Sequence, residues 1–402
     1  MKTDVLIAGG GIVGLATAVA LRNSDSDISV MIVDRGDDLP ERDGRSSALA
    51  AAARRMLEML KVWRGVADVA EPIREMFVTD SGKNDVLRSD FLSFSGVLDT
   101  GEPFAHMVPN IALRTSLAEM AKQSGVVSVV SVVDGFERRN GGVRVGLTSG
   151  DVIDAGLLVA ADGSRSRLRD LAGIGTIGWD YRQIGLVGTI RHEKPHLGVA
   201  LQNFLPAGPF AVLPLQGNHS SLVWTESRAK APDFVDADPR ILNREIRRRV
   251  GARLGEVEIQ GQLQAFPIRL RLARDLVKDR FCLVGDSAHT IHPLAGQGLN
   301  LGLRDAAALS ETIVDARRLG LDFGDLDVLE RYQSWRRFDV TEMGVLTDVL
   351  NRLFSNDSSL LRVVRDVGLG VVHRLPKLKR VMVDQAAGLG PEIPRLLRGE
   401  AI

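Results

Sequence analysis

Asp4-Val5-Leu6-Ile7-Ala8-Gly9-Gly10-Gly11-Ile12-Val13-Gly14-Leu15-Ala16 stands near the start of the chain. Residues 4–8 read as a short buried parallel strand and residues 9–14 as the turn after it. Ile12, Leu15, Ala16, Val19 and Ala20 then recur at helical spacing, and residues 28–33 form a second apolar strand ending at Asp34. Together they make one β-α-β unit. Gly9, Gly11 and Gly14 fit G-x-G-x-x-G, with Val13 inside the motif. In such a turn the first glycine permits the bend, the second lets backbone approach a pyrophosphate, and the third lets helix and strand pack closely. The helix N-terminus offers N–H groups and the positive end of its dipole to an anion. Asp34 follows at about the distance where an acid binds a ribose hydroxyl, and Arg35 is a cofactor-side candidate beside it. A dinucleotide is the expected ligand, and the motif alone does not separate FAD from NAD.

Two later segments extend this reading. Ala160-Ala161-Asp162-Gly163-Ser164 follows the apolar residues 156–159 and precedes a helix carrying Arg165, Arg167 and Arg169. Asp-Gly at a strand end is also an ordinary turn. Farther on, residues 280–285 form a buried strand that ends at Gly285, with Asp286 immediately after it. Pro293-Leu294-Ala295-Gly296-Gln297-Gly298-Leu299-Asn300 then leads into a helix expected over 301–316. A second helix N-terminus thus points at something, far in sequence from the first. One cofactor long enough to touch both is the economical explanation.

The composition excludes several classes. Hydrophobic residues make up 45% and charged residues 25%, as in ordinary water-facing domains. Lys+Arg and Asp+Glu are both 51, a balance that argues against nucleic acid as partner. The single cysteine, Cys282, excludes an internal disulfide and a multi-cysteine zinc site, so no metal is expected. Residues 195–225 lack Asp, Glu, Lys and Arg, but Pro195, Pro206, Pro209 and Pro214 break them into strand-length pieces, too short to span a bilayer. No signal-peptide pattern is expected at residues 1–4, and the reading is cytoplasmic, with peripheral contact at the inner membrane an open extension.

Other expected elements are helices over 46–60, 109–124 and 239–254, and strands over 76–79, 126–133, 142–147 and 152–159. Strands are also expected over 185–191, 199–205, 210–215 and 221–225. The fold class is α/β: a Rossmann-type dinucleotide-binding domain, an inserted and mostly antiparallel β-sheet substrate domain, and a helical C-terminal tail. The first domain is discontinuous, over 1–71, 106–182 and 271–328. The second takes 72–105 and 183–270, and the tail 329–402.

In this order and spacing the three segments resemble the class A flavoprotein monooxygenases, the aromatic hydroxylases of the para-hydroxybenzoate hydroxylase type, over nearly the whole chain. Asp43-Gly44-Arg45-Ser46-Ser47-Ala48-Leu49, Phe204-Leu205-Pro206 and His292-Pro293 through Asn300-Leu301-Gly302 with Arg304-Asp305 look like the ubiquinone-biosynthesis hydroxylases. The resemblance implies FAD as the bound cofactor, O2 as co-substrate, and NAD(P)H or another donor as reductant. It implies Asp34 at the adenosine ribose, Arg45 and Arg114 on the FAD, and Val133 near the adenine. Asp162, Gly163 and Asp286 would also meet the cofactor, Asp286 near the ribityl–pyrophosphate, with Pro293, Gly296, Gly298, Leu299 and Asn300 beside the isoalloxazine.

In that family a flavin C4a-hydroperoxide gives its distal oxygen to an electron-rich ring. The implied substrate is a hydrophobic prenylated phenol. His292 is the one candidate for phenol deprotonation, against the plainer role of orienting the loop. Phe204, Phe210, Leu213 and Trp224 are the expected pocket residues. Residues 345–382 mix apolar and basic side chains, and either lie on a membrane surface or pack on their own domain. Contact with a biosynthetic complex and the oligomeric state stay open. Three rival readings are an isoprenoid reductase, a hydroxylase of a small soluble aromatic, and a non-catalytic flavin-bearing subunit. The Trp-x-Trp-x-Ile-Pro segment of flavin halogenases is absent.

Overall fold

The computed structural model describes residues 1–36, 44–80, 92–293, 296–354, 383–390 and 392–402. A parallel core built from Phe281–Leu283, Val152–Ala160, Lys2–Ala8, Val30–Asp34 and Val127–Val130 lies in that spatial order. Numbered along the chain this is the 3-2-1-4-5 order of doubly wound folds, with chain reversal beside the first strand. Val5, Leu6 and Ile7 have no exposed surface, as in a strand covered on both faces. The helices Ile12–Ser24 and Gln297–Arg318 pack against each other beside the core.

A second sheet of eight strands runs His289–Thr290, Val257–Ala273, Thr176–His192, His219–Ser227, Gly208–Leu215, Val199–Leu205, Glu75–Asp80, Leu92–Ser95. Its pairs are antiparallel except Val199–Leu205 with Glu75–Asp80. Thr176 already pairs with Ala273, so this sheet takes residues on both sides of the boundaries expected at 182 and 271.

The sheet's side chains alternate faces. Phe210, Val212, Leu222 and Trp224 point to one side and pack with Leu242, Ile246 and Val250 of the Pro239–Val250 helix. That helix is opened by Asp238, whose side chain accepts from the Arg240 N–H, and by Pro239 in its first turn.

Residues 46–60 are not one helix. Ser46–Ala50 is a strand paired with Ala105–Pro109, and the helix is Ala51–Met59. An alanine-rich run suits a helix by propensity, but here an available strand partner overrides it. The helix expected from Leu301 starts at Gln297, so Gly298, Leu299 and Asn300 lie in its first turn. Leu326–Phe354 is a long helix. Most of the 345–382 stretch falls outside the described residues, as do Asp43, Leu294 and Ala295.

Candidate active site

The glycine turn is held from three sides. Gly9 has φ +117°, and a Cβ there would lie 2.3 Å from the Ala161 carbonyl oxygen. A side chain would therefore clash with backbone of the neighbouring strand end. Asp34 accepts the Gly10 N–H at 2.6 Å, and Arg114 Nε donates to the Gly10 carbonyl at 2.9 Å. Asp34 and Arg114 lie 3.8 Å apart at their charged atoms, so they shape the turn as well as flank a ligand. By contrast a Cβ at Gly11 would meet nothing within 4 Å. The turn therefore faces open space at the position where a pyrophosphate would approach.

Two cavities meet at this turn. One, of about 500 Å³, is lined by Gly10, Asp34, Ile111, Arg114 and Ser128, Val129 and Val130. Its carboxylate and position at the sheet's carboxyl end suit an adenosine. Val133, expected here, does not line it. The chain turns at Ser131 and Val132, and Val133 begins the next strand, buried and paired with Leu147. Val129 and Val130 take the wall instead. Arg35 is exposed beside Asp34.

The other cavity, of about 640 Å³, lies between the parallel core and the second sheet. Gly11, Val13, Gly14, Arg45, Gly163, Asp286, Pro293, Gly296, Gly298, Leu299 and Asn300 line its cofactor side. Asp162 sits just behind that wall. One carboxylate oxygen accepts the Leu168 N–H at 3.2 Å, while the other is buried and has no partner among the described residues.

Asn300 is a staple. Its side chain accepts the Ala50 N–H at 2.9 Å and donates to the carbonyls of Ala48 at 2.8 Å and Gly296 at 3.2 Å. It thereby fixes the start of the Gln297–Arg318 helix to the 46–50 strand. The helix cap, Gly296, has no side chain to satisfy the first N–H groups, which are left for a ligand.

A buried ionic cluster, with no role assigned from the sequence, supports this wall. Asp305 is fully buried and accepts from the Gly285 N–H at 2.8 Å, from His289 Nε2 at 2.6 Å and from Arg336 Nε at 2.7 Å. Burial alone would raise the Asp305 carboxyl, but His289 and Arg336 outweigh it and hold it below its ordinary value. The pairing of Asp305 with Gly285 sets the turn that carries Asp286 into the cavity. Burial pushes the Asp286 carboxyl up, with His289 and Arg45 opposing. A carboxylate here suits hydroxyl donors, such as a ribityl chain, better than phosphates of its own sign.

His292 does not reach the cavity, although its neighbours Ile291 and Pro293 line it. Its ring is fully buried, lies edge-on to Tyr181 at 5.3 Å, and has Nε2 3.4 Å from Gln183 Oε1. Burial lowers it to about 4, so it is neutral near pH 7 and a weak base. Its position is that of a loop-orienting group.

On the substrate side, Leu213 lines the cavity with Val187, Ala200, Gln202, Pro209, Ala211, Val223 and Thr225. Phe210 and Trp224 do not. They have the opposite parity, are fully buried, and face the helices, where Trp224 packs on Phe234 at 4.3 Å. Phe204 has the cavity-side parity and is buried opposite Pro209, outside the lining. Among the described residues no group of His, Cys, Asp or Glu is arranged to hold a metal.

The residues fit FAD: an open glycine turn, an acid and an arginine at the adenosine end, and a second helix N-terminus beside a cavity of ring size. Residues 2–341 match the family of the FAD binding domain. The chain belongs to that family and is a class A FAD-dependent monooxygenase, which uses O2 and a reduced pyridine nucleotide or similar donor. It is 40% identical to ubiquinone hydroxylase UbiL of Rhodospirillum rubrum, over 98% of this chain and 92% of that one. It is 34% identical to the 3-demethoxyubiquinol 3-hydroxylase of Escherichia coli, over 96% and 99% of the two chains. The solved p-nitrophenol 4-monooxygenase of Pseudomonas putida superposes with a TM-score of 0.77 over 98% of this chain and all of that one, and at 18% identity this likeness speaks for the fold.

Proposed function

We propose that the protein hydroxylates the aromatic ring of a polyprenylated phenol in ubiquinone biosynthesis. The observation that carries this reading is the cavity itself: one wall is the cofactor loop and the facing wall is an apolar sheet surface of Val187, Ala200, Ala211, Leu213 and Val223. A ring bound between them is oriented by shape and shielded from water. Full-length similarity to two enzymes named for ubiquinone chemistry supports the substrate class.

Bound FAD supplies the oxygen chemistry, fed by NAD(P)H or another donor and by O2. The protein's residues do the holding. Asp34 would receive the ribose, the turn at Gly11 would admit the pyrophosphate, and Asp286 would accept from the ribityl hydroxyls, while Asn300 keeps the start of the Gln297–Arg318 helix against the 46–50 strand. Arg45 lies on the cavity wall, with its guanidinium over the Phe266 ring at 5.6 Å.

A polyprenyl tail also gives a reason for contact with a membrane surface. Among the described residues no helix is long and apolar enough to cross a membrane. Exposed Phe338, Val345 and Val349 recur along one side of the Leu326–Phe354 helix and support such peripheral contact. The test of the substrate class is the quinone-intermediate profile of a strain lacking this protein. A prenylated phenol short of one ring hydroxyl should accumulate, and an unchanged profile overturns the assignment.

A further inference from the structure

On the sheet's four central strands, 176–192, 219–227, 208–215 and 199–205, the side chains that line the large cavity are apolar apart from Thr225 and Gln202, and we infer that these two recognise a ring oxygen of the substrate. The inference rests on the phenol reading above and names the side chains that would select among phenols.

Strand register places both residues on the cavity side. Gln202 pairs with Ala211, Ala211 with Val223, and Val223 with Val187, which makes one row across four strands. Thr225 lies two residues beyond Val223 on the same face, and Gly185 is opposite it. Every other residue in these positions that lines the cavity is Val, Ala, Pro or Leu.

Neither polar group is used by the fold. Thr225 is 1% exposed, and its hydroxyl oxygen has no hydrogen-bond partner among the described residues. The same holds for Gln202 Nε2, which is buried and without an acceptor among the described residues. Folded proteins rarely leave buried polar atoms unpaired, and those that persist call for a ligand or solvent partner. The wall offers Nε2–H as a donor and the Thr225 hydroxyl as donor or acceptor. The matching ligand group is a neutral ring oxygen: a phenol hydroxyl, a methoxy or a quinone carbonyl. A ring without oxygen at that position leaves both groups unpaired, which is the strongest way such a pocket rejects an analogue.

Two probes isolate the effect: 4-hexylphenol and hexylbenzene, which differ by one oxygen. Binding is read from the visible absorbance of the protein-bound flavin, so no turnover is needed, and that absorbance also reports that each variant is folded and loaded. The wild type should prefer the phenol by about tenfold or more. Thr225→Val and Gln202→Leu should each reduce this preference several-fold, and the double variant should bring it near one. Thr225→Ser, which keeps the hydroxyl, should retain the preference even if Thr225→Val yields no loaded protein. An undiminished preference in the flavin-loaded double variant overturns the inference and leaves the phenol reading standing, as does a wild type that binds both probes equally. A wild type that binds neither probe removes the phenol reading and the inference with it.

Discussion

Replacing Asp305 by Asn should be among the most damaging isosteric changes in this protein. The side chain keeps its shape and loses its charge. Asp305 presents one oxygen to Arg336 Nε and the other to both Gly285 N–H and His289 Nε2, and all three neighbours use a hydrogen there. An amide has one oxygen and one NH2, so in either flip a donor faces a donor. Arg336, which is fully buried, keeps Asp339 as its one carboxylate partner among the described residues, and the Asp339 side chain is 23% exposed. Removing one partner of a buried ion pair costs about 3–5 kcal/mol, and the surviving Asp339 contact puts the expectation near about 3 kcal/mol. With a urea m-value on the order of 3 kcal/mol/M, the unfolding midpoint of the FAD-loaded protein falls by about 1 M. FAD affinity should weaken by about tenfold, because the Gly285 turn delivers Asp286 to the cavity. A double change, Asp305→Asn with Arg336→Met, removes the stranded guanidinium and lets the amide oxygen still accept from Gly285 N–H and His289 Nε2, so it should recover part of the stability. If Asp305→Asn stays within about 1 kcal/mol of wild type and keeps its FAD affinity, this cluster does not hold the cofactor wall.

Gly11→Val should fold, since a Cβ at Gly11 meets nothing within 4 Å, yet the isolated protein should lack flavin absorbance; retention of FAD contradicts the reading of the turn. Asn300→Ala breaks three side-chain hydrogen bonds and should cost about 1–3 kcal/mol while loosening FAD, seen as faster flavin release on dilution. Burial lowers both His106 and His292 to about 4 from an ordinary 6.5, with Arg54 also lowering His106. Between these values the native state binds fewer protons than the unfolded chain, so their contribution is complete above pH 6.5 and is lost as pH falls toward 4. The loss at pH 5.5 is on the order of 1 kcal/mol for each; urea midpoints should decline over that window and flatten in His106→Asn and His292→Gln, whereas a pH-independent wild type contradicts the assignment.

The cofactor half of the site was legible because its signals are local. Residues 9–14 and Asp34 form one supersecondary unit, and Asp286 through Asn300 follow a strand and cap a helix. The substrate half was legible as strands, through Pro and Gly punctuation, but not by face. Phe210 and Trp224 were expected in the pocket because they are large and apolar, yet the Pro239–Val250 helix covers their side of the sheet, and no periodicity within a strand says which side a later helix will take. The same choice hid Thr225 and Gln202, polar side chains among mostly apolar strand residues. The bend at Ser131 puts Val133 in the next strand, so residues 128–130 line the smaller cavity and Val133 does not. Asp305 and Arg336 were invisible as a pair because thirty-one residues of chain separate them and only helix packing joins them.

Oxygen labelling tests the central claim most directly. Purified FAD-loaded protein is given a prenylated phenol, NADH or NADPH, and 18O2. One atom of 18O should enter the ring hydroxyl of the product, and product should not form without oxygen. Product formed anaerobically, or a hydroxyl labelled from water, contradicts the account.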